Sequence, residues 1–199
     1  MNANATTADL SAKDKTVTIV VNEKATSFDY DALKTFHQGD SWFGCTVGFR
    51  AMQLAARELS DPEHGMWSRN NLSIISGHPG CGVKDAIELI TATVSSEHYQ
   101  LLDNIGTQDC NRNMRFEWWI STNGKTIHIK LHDNIVPESF FELLDRINTD
   151  DETSEDRNNF DMMKSDLSNT VWSQSLDDSF GFELSSLPPN HHTNSEVTT

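Results

Sequence analysis

The chain has 199 residues and a mass of 22.4 kDa, with 15 Lys/Arg against 30 Asp/Glu and a formal net charge of −15. That size allows one domain of ordinary dimensions, alone or with a substantial tail, and excludes two large ones. A pI near 4.7 repels phosphate backbones and anionic bilayer surfaces, so nucleic acid and membranes are not expected partners.

The acidity is uneven. Residues 150–199 hold 11 Asp/Glu against 2 Lys/Arg, leaving 19 against 13 for residues 1–149. No apolar run approaches the roughly 20 residues of a membrane span. The first residues, Met1 to Asp9, have neither a basic start nor an apolar segment, so a cleaved secretion signal is not expected and the cytoplasm is the expected location. Three cysteines, Cys45, Cys81 and Cys110, are too few and odd in number for a disulfide framework. They are therefore buried, reactive or metal-binding thiols.

Residues 1–15 are small and polar and read as a flexible lead into a domain over 16–148. Val17, Ile19 and Val21 alternate with polar neighbours as in a strand. From Ser27 to His37 an N-cap, early acids and Tyr30, Leu33 and Phe36 at helical spacing predict a helix that stops at Gly39. Cys45 to Leu59 has apolar residues around most of its circumference, which predicts a long buried helix with a polar edge at Arg50, Gln53 and Arg57. Leu72–Ser76 is a short strand, and Gly77-His-Pro-Gly-Cys-Gly82 turns into a helix carrying Val83, Ala86, Ile87, Ile90 and Val94 on one stripe. Asn123-Gly124 predicts a hairpin between 115–121 and 125–132, with Trp118 and Trp119 on opposite faces, which makes a second copy of the chain a candidate partner. Pro137 opens a last helix through Ile147. The fold class that follows is α+β, a mostly antiparallel sheet against a long buried helix and further helices. The acidic stretch from 149 to 199, with scattered Phe160, Trp172, Phe180 and Phe182, is expected to be disordered and to offer short partner-binding motifs.

Two turns concentrate the chemistry. Cys81 stands at a predicted helix start, where backbone N–H groups favour a thiolate, and Gly80 and Gly82 allow close approach of a ligand. His78, three residues earlier, is its candidate base, so the pair is either a nucleophile with its base or part of a ligand set. The second turn offers His37, Asp40 and Cys45. If both turns lie at one end of the sheet, His37, Asp40, Cys45, Cys81 and Asp85 form a candidate soft site for zinc or another divalent transition metal. His128 and His132 lie about 13 Å apart along one strand face, too far to share an ion, and His191-His192 and His98 read as surface residues. Cys110, between Asp109 and Asn111, is expected to have a raised pKa and to be inert.

Over residues 28–147 the chain resembles the core domain of the FmdE-like family, named for a component of formylmethanofuran dehydrogenase. The resemblance rests on Phe36-His37-Gln38-Gly39-Asp40 before Gly48-Phe49-Arg50-Ala51, on Cys81-Gly82-Val83-Lys84-Asp85-Ala86-Ile87 with a later Leu89-Ile90-Thr91, and on a strand after Gly124-Lys125. Asp40 stands where that family has a second histidine, and with no cysteine after Cys110 the family's C-terminal zinc finger is missing. The resemblance implies an α+β core with a His/Cys crevice, and hence a metal-binding or redox-linked accessory protein. The alternatives are a small-ligand module that binds no metal and a partner-binding protein acting through the acidic tail.

Overall fold

The computed structural model describes residues 15–40, 42–60, 65–102, 109–147 and 149–185. In chain order the elements are β1 (Thr16–Val21), β2 (Lys24–Asp29), α1 (Tyr30–Phe36), α2 (Trp42–Leu59), β3 (Leu72–Ser76) and α3 (Cys81–Thr91). They continue with β4 (Tyr99–Leu101), β5 (Glu117–Thr122), β6 (Lys125–Leu131), α4 (Glu138–Arg146), α5 (Ser154–Ser173), α6 (Leu176–Ser179) and β7 (Phe180–Ser185). The expected class holds: helices pack against a five-stranded sheet of order β4-β3-β5-β6-β7, in which only the β3–β4 pair is parallel.

The long helix is central because most of its circumference is apolar. α2 packs on α3, α5, β1 and β6, and Cys45, Val47, Phe49, Ala51, Met52, Leu54 and Ala55 are all fully buried. The sheet turns Ile74, Trp118, Ile120, Ile127 and Ile129 into the same core. The polar edge expected on α2 survives only in part. Arg50 and Gln53 are buried, since Arg50 donates through Nη2 to the carbonyl of Gln174 at 2.7 Å and through Nη1 to Gln53 at 3.2 Å.

Two expectations are corrected. Lys24–Asp29 is a strand paired to β1, and α1 starts three residues later than expected, capped by Asp29, whose Oδ1 accepts from the Ala32 N–H at 2.6 Å. The larger correction concerns the acidic stretch expected to be disordered from 149. It carries a 20-residue helix, opened by a capping box between Thr153 and Asp156, and then a strand along β6. Of the residues expected to be motifs for a partner, Trp172 and Phe180 are used within the fold while Phe182 is exposed. Phe160 and Phe180 are buried, and Trp172 lies 4.9 Å from the Tyr30 ring. A narrow stripe of Phe160, Leu167 and Val171 is enough to dock α5, because α2 already presents an apolar surface to receive it. Residues 1–14 and 186–199, with His191-His192, lie outside the described residues.

Candidate functional site

The β3–α3 turn is pinned before it reaches the helix. Gly77 donates its N–H to the carbonyl of Glu117 and accepts from the Arg115 N–H, both at 2.8 Å, so the turn is an extension of the β3–β5 pairing. A side chain at Gly77 would meet the Arg115 carbonyl oxygen at 2.9 Å, which explains the glycine. The Ser76 hydroxyl donates to the carbonyl of His78 at 2.9 Å and accepts from the His78 N–H at 3.1 Å.

This holds His78 inside. The residue is 4% exposed, its ring lies 4.7 Å from that of Phe116, and Nδ1 accepts from the Gly80 N–H at 3.0 Å. Burial pushes its pKa down to about 4, so the imidazole is neutral and the proton sits on Nε2. Gly80 then begins α3 as an N-cap with no side chain to satisfy the first amides. Cys81, exposed, is the first helical residue.

The second turn meets the first as a shared site would require. α2 begins against α3: a Cβ on Gly44 would touch the Val83 nitrogen at 3.4 Å, and one on Gly48 would press on Val83 and Ala86 at 3.0 Å. Consequently His37 Nδ1 reaches Asp85 Oδ2 at 2.7 Å, with the imidazole 3% exposed. Cys45 is fully buried beside them, and its thiol is pushed up to about 12, first by burial and then by the nearby Asp85 and Cys81. Asp40 parts company with this group. It lines a separate hollow of about 460 Å³ with Lys15, Tyr30, Lys34 and Trp42.

Among the described residues no three His, Cys, Asp or Glu side chains are grouped so as to hold a metal ion. The donors present do not fit the zinc-type site that the resemblance implies. His37 and Asp85 engage each other, the Cys45 thiol is deep and protonated, and Asp40 faces another hollow.

What the turn does border is a cleft of about 630 Å³. Its floor is His78, Gly80, Cys81 and Gly82, and its apolar wall comes from Phe43, Met114, Phe140, Leu144, Ile147 and Phe160. Cys110 also lines it, beside Gly80. Its expected raised pKa is found, at about 11, but the causes rank differently. Desolvation of the sulfur comes first, then Cys81, and the neighbouring Asp109 only third.

Sequence reasoning missed the far wall, because it comes from the stretch read as disordered. Arg157 and Lys164, the only two Lys/Arg of residues 150–199, both border this cleft, as does Lys84 from the first turn of α3. Arg157 is held by Glu152 through two bonds of 2.7 and 2.8 Å, and Lys164 lies 2.8 Å from Asp161. That both bases of so acidic a segment fall on one face was the available signal.

No protein-family model matches the chain, and no curated protein matches it.

Proposed function

We propose that the chain is a small-molecule-binding module, without a bound metal, whose cleft takes a compact ligand with an acidic group and an apolar body. The observation that carries this reading is the uncapped start of α3 opening into the cleft together with the buried His78. The first amides of a helix without a side-chain cap attract negative charge, and Gly80 and Gly82 leave room for it to approach. His78 also lines this hollow as a neutral imidazole that carries its proton on Nε2, since Nδ1 accepts from Gly80. Lys84, Arg157 and Lys164 bring three cationic groups to the rim on a strongly acidic protein, with Arg157 paired to Glu152 and Lys164 to Asp161, and Asp109 is the one acid among the cleft's described lining residues. The aromatic wall suits an apolar body of a few carbons, and a cleft of this size lies in the ordinary range for small ligands.

The resemblance to the FmdE-like family implies both a crevice between the two turns and a metal in it, and of these the proposed module keeps the crevice alone.

The test is thermal denaturation of protein purified without a histidine tag, against a panel of short aliphatic and aromatic carboxylates and phosphate monoesters, with and without EDTA. At least one class should raise Tm in a dose-dependent way that survives EDTA, and Lys84→Met should weaken that ligand several-fold. A Tm insensitive to the whole panel, or a rise abolished by EDTA, would falsify the reading.

A further inference from the structure

We propose that Cys81 and Cys110 are a redox-active dithiol that closes to an intramolecular disulfide across the floor of the cleft. The inference stands on the placement of two sulfurs and is independent of which ligand the cleft accepts. A Cβ built on Gly80 would lie 2.9 Å from Cys110 Sγ and 2.6 Å from His78 Cε1. The Cys110 sulfur therefore rests directly over Gly80, in space that any side chain there would fill. Cys81 is the next residue, one peptide link of about 3.8 Å between Cα atoms away. That puts the Cys110 sulfur within about 8 Å of Cys81 Cα.

Neither cysteine is anchored in the core. Cys81 is exposed at the first position of α3, and Cys110 is exposed outside any helix or strand. A side-chain rotation at Cys81 and a modest shift of the segment carrying Cys110 bring the pair into disulfide geometry. Cys45, the third thiol, is enclosed within α2 with no exposed surface, so it is the poorer partner although it also neighbours Cys81.

The two positions suit different steps. Cys81 reacts first because desolvation holds the Cys110 sulfur as a thiol. Its sulfur, having lost its proton to solvent, attacks one sulfur of a small-molecule disulfide RSSR. A mixed disulfide forms and RS⁻ leaves, taking up a proton as RSH. Cys110, kept as a thiol by its surroundings, then gives up its proton and attacks the Cys81 sulfur. The Cys81–Cys110 bond forms, and the second RS⁻ leaves as RSH. In net terms two protein thiols are oxidised by two electrons and one RSSR is reduced to two RSH.

The experiment uses the full chain, reduced and then equilibrated with oxidised and reduced glutathione at set ratios, quenched by acid and alkylated. In oxidising buffers the wild type should lose two of its three alkylatable thiols and the mass of two hydrogens, and peptide mapping should join the Cys81 and Cys110 peptides. Cys110→Ser should accumulate the glutathione adduct on Cys81 instead, and Cys45→Ser should behave as wild type. A stable glutathione adduct on Cys81 in the wild type overturns the proposal, as does a Cys45–Cys81 crosslink or three thiols that remain alkylatable. Circular dichroism of each serine variant separates these outcomes from misfolding.

Discussion

Gly48 of α2 lies on Val83 of α3 with no room for a methyl group: a Cβ there would be 3.0 Å from the Val83 Cα and 3.2 Å from its carbonyl oxygen. Backbone is the obstacle, so the contact cannot relax by a rotamer change. This close approach lets His37 reach Asp85 and puts Cys45 beside Cys81. Gly48→Ala should therefore destabilise by about 1–3 kcal/mol, despite the better helix propensity of alanine. Gly44 is the control. Its Cβ would meet the Val83 nitrogen at 3.4 Å, an ordinary contact, so Gly44→Ala should be neutral or stabilising by up to about 1 kcal/mol. Urea denaturation of both variants checks the contrast, and equal effects would refute the backbone-contact account.

The buried His78 makes stability depend on pH in a defined window. In the unfolded chain an ordinary histidine takes a proton near pH 6.5, whereas burial in the fold lowers that value to about 4. Between these values the unfolded state binds a proton that the native state refuses. The contribution is complete above about pH 6.5 and is lost as pH falls toward 4, by up to about 3 kcal/mol. His78→Asn should flatten that part of the stability curve, measured by denaturant midpoints from pH 7.5 to 4. A variant whose curve keeps the wild-type slope would remove His78 as the cause.

Arg50 ties the C-terminal helix to the central one. Its guanidinium, 1% exposed, donates to the carbonyl of Gln174 and lies 5.3 Å from the Trp172 ring. Burial lowers its pKa to about 10, so it stays charged at neutral pH. Arg50→Met fills similar space but leaves the Gln174 carbonyl without its charged donor, and should cost about 2–3 kcal/mol. Arg50→Lys should recover only part of this, since a lysine ammonium lacks the planar fork that also serves Gln53. Faster hydrogen exchange confined to the end of α5 would locate the loss; uniform exchange would contradict it.

Where local chemistry decided the conformation, the sequence was readable. Asn123 and Gly124 both take positive φ, 46° and 78°, as the Asn-Gly signal requires. The turn between β1 and β2 does the same with Asn22 and Glu23 at 49° and 65°, but glutamate gives no such signal, and the end of the second strand reads as a helix start. The β3–α3 turn followed from Gly77-His-Pro-Gly, whereas the meeting of His37 with Asp85 depended on both helices starting at one end of the sheet, which the sequence left open. Asp40 was grouped with His37 and Cys45 from their closeness in sequence, but α2 begins at Trp42 rather than at Cys45 and Asp40 lines another hollow. The far wall of the cleft was hidden by composition. Phe160, Leu167 and Val171 recur at helical spacing, and Thr153 caps its helix with Asp156, but the acidic, serine-rich average of the stretch masked both signals.

That far wall sets the last prediction. Ending the chain after residue 149 removes the buried side chains of Phe160, Leu167, Val171, Leu176 and Phe180 and strips β6 of its β7 partner from Thr126 to Leu131. Five such side chains at about 1.5–3 kcal/mol each amount to roughly 7–15 kcal/mol, as much as the whole stability of an ordinary domain. The shortened chain should keep helical circular dichroism but bind ANS strongly and melt without a cooperative transition. Phe160→Ala in the full chain, costing about 3–5 kcal/mol, should still unfold cooperatively. If the chain ending at 149 instead melts as sharply as the whole protein, α5 and β7 are accessories to a core that is complete without them, and the part of the cleft wall that Phe160 supplies contributes nothing to its stability.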